Sequence, residues 1–156
     1  PVLRGGTQEK GRRPGSPDVI SLAGFGAAAE HVPERLRLMS SIGRFRDSLE
    51  TVLRSLGASV NADSAFRVAT VTNVSFPGVR ADVLVPAFDV EGLCVSSGAA
   101  CSSGVVRNSP VLEAMYPTET WRASSAVRLS LGPQTTQEDI DEAKRIIREV
   151  IGRFAS

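Results

Sequence analysis

One stretch of this chain is suited to presenting a thiol. Ser96-Ser97-Gly98-Ala99-Ala100-Cys101-Ser102-Ser103-Gly104 contains only Ser, Gly, Ala and Cys, and it follows an apolar Leu93-Cys94-Val95. Side chains that small cannot assemble a core, so the segment reads as a close-approaching loop that exposes Cys101. The thiolate is the nucleophilic form of cysteine, and an exposed polar loop suits a thiol that must meet other groups. By local composition alone, the competing reading is an incidental loop cysteine. Cys94, between Leu93 and Val95, reads instead as a small buried hydrophobe.

Arg128 is the second candidate. It interrupts the alternating Ala126–Leu131 run, where a guanidinium is costly to bury unless paired. Its planar fork matches a carboxylate through two parallel hydrogen bonds. The other reading is an exposed arginine on the open face of a sheet. Ser16 ends a Gly/Arg/Pro-rich opening, PVLRGGTQEKGRRPGSP, whose amides and hydroxyl could cradle a phosphate. A solvated tail is the alternative there. His31 sits in a polar helix connection and reads as solvent-facing.

The elements that must position these residues follow from periodicity. Asp18–Glu30 is small and apolar, which suits a helix packed against something else, although two glycines weaken it. A clearer helix begins at Pro33, carries a stripe through Leu36, Met39, Leu49, Val52, Leu53 and Leu56, and stops at Gly57. Phe66–Phe76 reads as a strand closed by the Pro77-Gly78 turn. Ala81–Glu91 suits a short helix despite Pro86, and Leu93–Val95 a short buried strand. Pro110–Tyr116 suits a further short helix, followed by an irregular stretch. Val127, Leu129 and Leu131 then face one way in a strand with Arg128 and Ser130 opposite. In the last helix, Thr136 caps with Asp139, ahead of the stripe Ile140, Ala143, Ile147, Val150, Ile151, Phe154. Three strands with helices over one face make an α+β layer structure.

The chain has 156 residues, 42% hydrophobic and 22% charged, so it can bury a core. Its formal charge of +1, with scattered basic residues, argues against nucleic acid or an anionic membrane as partner. Two cysteines and one histidine cannot make a four-ligand zinc site, so no metal is expected. No apolar run approaches the roughly 18–20 residues that span a bilayer. No signal peptide or disulfide framework is evident, which makes a reducing, cytoplasmic compartment the expectation. Of the 18 basic residues only Lys10 and Lys144 are lysines, and Lys144 is expected on the solvent side of the last helix.

Four stretches together resemble the NifS/IscS-like cysteine desulfurases, fold-type I PLP enzymes of the class V aminotransferase group. Gly5–Ser16 is similar to the family's GGxQExGxRxGT segment, and Gly24–Glu30 to the helix that follows it. Val95–Gly104 resembles the VSSGSACSSG loop, with Pro110–Met115 after it. Val127–Gly132 with Thr135-Thr136 resembles IRFSLGRxTTxEEID. Pro14 replaces a small residue, and Arg107-Asn108-Ser109 stands where the family often has a Leu-Glu-Pro-like run.

The resemblance implies a fold, a reaction and a division of roles. Residues 1–32 would be the tail of the large α/β PLP-binding domain, and 33–156 the small C-terminal α+β domain with an antiparallel sheet of about three strands. Cys101 would take sulfur from PLP-bound L-cysteine as a persulfide, leaving L-alanine, and pass it to a sulfur acceptor for iron–sulfur clusters, thio-cofactors or nucleic-acid modification. Arg128 would bind the substrate carboxylate. Ser16, in place of the family's threonine, would reach the PLP phosphate of the partner subunit in a homodimer. The Schiff-base lysine lies upstream of the Gly-rich segment in the family, so the expectation is that an N-terminal portion supplies it. A non-catalytic binding or sulfur-carrier module, or a selenocysteine lyase-like enzyme, are the alternatives.

Overall fold

The computed structural model describes residues 3–97 and 108–154. Its contacts divide the chain into two compact units, residues 1–37 and 38–156.

In the first unit, a 3-10 turn at Gln8–Gly11 precedes helix α1, Val19–Glu30. Asp18 caps α1 by accepting from the Ser21 amide at 3.1 Å. The helix is apolar on every side, and Ile20 and Phe25 are exposed.

Helix α2, Val32–Ser55, begins in the first unit, and its C-terminal turns bury Leu49, Val52 and Leu53 in the second. Gly57 ends it at φ +88°, a backbone state open to glycine at little cost. Then follow β1 (Ser59–Val60), β2 (Val71–Ser75), α3 (Ala81–Val90) and β3 (Ser96–Ser97). After them come α4 (Pro110–Met115), α5 (Trp121–Ser125), β4 (Ala126–Ser130) and α6 (Gln137–Gly152).

The four described strands form one antiparallel sheet in the order β1-β2-β4-β3. This corrects the expected three. The extra strand, β1, is two residues long, too short to leave a period in the sequence. On one face Val60, Val74, Val127 and Leu129 meet α2, α3 and α6 in a single core that includes Leu53, Leu84, Phe88, Ile147 and Val150. Helix α6 holds its place through a reciprocal cap: Thr136 Oγ1 accepts from the Asp139 amide, and Asp139 returns the bond to the Thr136 amide. Pro86 is tolerated inside α3 because it lies on the exposed side, where water can reach the carbonyl it leaves unpaired.

The expected strand at Phe66–Phe76 forms only from Val71, and Phe66 and Val68 are exposed. Side chains of α2 hold this segment in place of a ladder. Arg67 makes two hydrogen bonds to Glu50, at 2.7 and 3.2 Å, and Arg46 donates to the Val68 carbonyl at 2.8 Å. Burial alone would raise the Glu50 carboxyl. The Arg67 hydrogen bonds and the charges of Arg67 and Arg46 outweigh it and hold the group below its ordinary 4.5.

Candidate functional site

The face of the sheet opposite the core is polar. Strand alternation puts Asn73 and Ser75 of β2, and Arg128 and Ser130 of β4, on that side. Register aligns Asn73 with Arg128, and Arg128 with Ser96 of β3. Asn61, just beyond β1, donates its amide to the Asn73 carbonyl at 2.8 Å. Four polar residues, Asn61, Asn73, Arg128 and Ser96, therefore form one row across the sheet. The Leu131 amide donates to the Thr70 carbonyl at 2.7 Å. Alternation from that bond makes Asn73–Arg128 a narrow pair, with Cα atoms about 4.5 Å apart.

One end of this face is covered. Helices α4 and α5 pack Leu112, Ala123 and half-buried Tyr116 around Ala126. Arg122 of α5 reaches back to the row. Its Nη1 donates to Asn61 Oδ1 at 3.1 Å, its Nε to Glu119 at 2.9 Å, and its guanidinium lies 4.4 Å from the Tyr116 ring centre. Asn61 Nδ2 then donates to Asn73 Oδ1 at 2.6 Å and to Ser75 Oγ at 2.8 Å. Tyr116 Oη accepts from the Ala62 amide at 2.7 Å, which holds Ala62 at φ +56°. That conformation costs a non-glycine residue about 1–2 kcal/mol.

The sequence candidates fall as follows. Arg128 is exposed on this face and makes no hydrogen bond or ion pair among the described residues. Cys101 lies outside the described residues. The described chain leaves the sheet at Ser97, one residue past the partner of Arg128, and resumes at Asn108, where Ser109 caps α4 by accepting from the Leu112 amide. Ser16 is exposed in the first unit. Its carbonyl accepts from Arg13 Nη1 at 3.1 Å, and its hydroxyl has no partner among the described residues. Lys10 is exposed, whereas Lys144 is half-buried and pairs with Asp141 at 3.3 Å. His31 Nδ1 sits 4.0 Å from Glu34.

Cys94 is exposed rather than buried and lies 4.0 Å from Asp89 Oδ1, because strand β3 begins at Ser96, three residues after the expected start at Leu93. Asn61, Asn73 and Arg122 were not singled out by sequence. The available signal was parity, since Asn73 and Ser75 occupy the strand positions opposite Val74 and Phe76.

The second unit is thus an antiparallel sheet with helices over its core face and an open polar face that carries an arginine. Residues 5–143 match the family described as Aminotransferase class-V, and the chain belongs to that family. It is 37% identical over 156 residues to a cysteine desulfurase of Bradyrhizobium diazoefficiens, covering 99% of this chain and 39% of that protein. It is 36% identical to the cysteine desulfurase NifS of Azotobacter vinelandii, covering 96% of this chain and 37% of the relative. A solved NifS-like protein superposes at a TM-score of 0.78 with 28% identity, over 98% of this chain and 39% of the other. The chain thus spans about two fifths of the length of the curated relatives it matches. Among the described residues, no helix is long and apolar enough to cross a membrane.

Proposed function

We propose that this chain forms part of a PLP-dependent cysteine desulfurase and contributes its sulfur-accepting thiol, Cys101, and its carboxylate-binding arginine, Arg128. The observation that carries the reading is the register of β3 on β4. Ser96 lies opposite Arg128, Ser97 opposite Val127, and Cys101 follows Ser97 by four residues in the sequence. Four residues of chain reach at most about 14 Å. Sequence separation alone therefore keeps Cys101 within that reach of Ser97, the neighbour of the residue that pairs with Arg128.

PLP, when bound, supplies an electron sink for the substrate's α-carbon. This chain's own contributions are simpler. Arg128 pairs with the carboxylate of L-cysteine and orients it. The Cys101 thiolate attacks the substrate sulfur, an S–S bond forms, and the C–S bond breaks with its electron pair left on carbon. Protonation there gives L-alanine, and Cys101 keeps the persulfide for a sulfur acceptor. The exposed Ser16 hydroxyl fits a contact to the cofactor phosphate in a partner subunit. Neither exposed Lys10 nor Asp141-paired Lys144 fits the Schiff-base role, so that lysine comes from a segment outside residues 1–156. On this reading residues 1–32 belong to the large domain and 33–156 to the small one, within a cytoplasmic homodimer.

The test is a Cys101→Ala variant of the complete PLP-loaded protein. Persulfide labelling of the chain and alanine release should both vanish while cofactor absorbance persists. Retained persulfide on this chain would overturn the assignment.

A further inference from the structure

A row of hydrogen-bond donors stands on the open face with its orientation already set. Arg122 is donor-only, so Asn61 must turn its oxygen toward Arg122 and its NH2 toward Asn73 and Ser75. Asn73 must in turn present its oxygen to Asn61 at 2.6 Å, which directs its own NH2 away from β1. That NH2 has no acceptor among the described residues, and its narrow cross-strand neighbour is Arg128. On the far side of Arg128, the Ser96 hydroxyl is likewise without a partner among the described residues. An oriented amide donor beside an exposed guanidinium, with no carboxylate opposite them among the described residues, forms an address for a two-oxygen anion.

We infer that Asn73 is a second substrate-carboxylate donor beside Arg128, its amide held in the donating orientation by the Arg122–Asn61 relay. The inference rests on the reading of Arg128 as the carboxylate ligand and adds a specificity residue to that site. Arg128 supplies the charge. Asn73 supplies a neutral, directional donor that fixes where the second carboxylate oxygen sits. An aspartate at position 73 would still accept from Asn61. It would also place a carboxylate against Arg128 and occupy the guanidinium.

The test compares Asn73→Asp and Arg128→Lys in the complete PLP-loaded protein, with L-cysteine and with cysteamine, which has no carboxylate. The Asn73→Asp variant should raise KM for L-cysteine roughly ten- to a hundredfold, with the effect on KM rather than kcat. Affinity for L-alanine, titrated directly, should fall by a similar factor. The thermal midpoint should be unmoved, and the response to cysteamine should match the parent protein. If Arg128→Lys raises KM while Asn73→Asp does not, the Asn73 inference fails and the carboxylate reading stands. If Arg128→Lys leaves KM unchanged, the carboxylate reading fails and this inference with it. A lowered thermal midpoint, or an equal loss with cysteamine, would show that Asn73 serves the fold only.

Discussion

Replacing Arg122 with methionine should destabilise the protein by about 3 kcal/mol. Methionine keeps the apolar stem against Tyr116 and removes only the guanidinium. The largest loss is the charged hydrogen bond to Asn61, 3.1 Å long and made to a residue only 3% exposed. Such bonds contribute about 1.5–3 kcal/mol, and here the stranded Asn61 oxygen has no route to water. Stacking on Tyr116 at 4.4 Å adds about 1 kcal/mol for a half-buried cation. The pair with Glu119 adds little, because Glu119 is 43% exposed. Equilibrium denaturant unfolding of parent, Arg122→Met, Asn61→Ala and the double variant completes a cycle. The double variant should fall short of additivity by at least about 1 kcal/mol, because both changes break the same bond. Strict additivity, or a loss below about 1 kcal/mol for Arg122→Met, would refute the relay from α5 to the sheet.

Acid stability depends on Glu50. Its folded carboxyl lies below the ordinary 4.5, so the unfolded chain takes up the proton first as pH falls. Its contribution is complete above about pH 4.5 and is lost as pH drops through the folded value. Glu50→Gln should therefore cost about 2 kcal/mol near neutrality, with the deficit shrinking in unfolding curves taken toward pH 3. A deficit that grows on acidification would contradict the pairing with Arg67. Ile147→Ala empties a fully buried site facing the sheet and should cost about 3–4 kcal/mol in the same assay. Substitution at exposed Arg148, the next residue, should cost under about 0.5 kcal/mol.

The sequence disclosed elements that carry their own period or cap. Helix α6 was legible from Thr136, Asp139 and its stripe, and β4 from the alternation around Arg128. What escaped is what depends on distant partners. Strand β1 is two residues long and exists through pairing with Ser75 and Val74. Phe66 and Val68 fit the strand parity, yet ion pairs from α2 override it. Helix α5 is a single short turn, without room for a repeat. Among the candidate residues, the cysteine segment and Arg128 stand out in the sequence because rare residue types interrupt simple patterns. Asn61 and Asn73 were not, because their bond spans 12 residues and the one from Arg122 to Asn61 spans 61.

One sheet holds the core on even positions of β2 and odd positions of β4, and the polar row on the complementary set. Any insertion or deletion that shifts either strand by one residue would exchange the two sets at once. Asn73 and Arg128 would point into the hydrocarbon interior while Val74 and Val127 faced water. Cohesion and chemistry therefore share a single parity constraint, and such single-residue length changes are lethal to both. The connections leading into β2 and β4 can vary in length only if they absorb the change before the ladder begins.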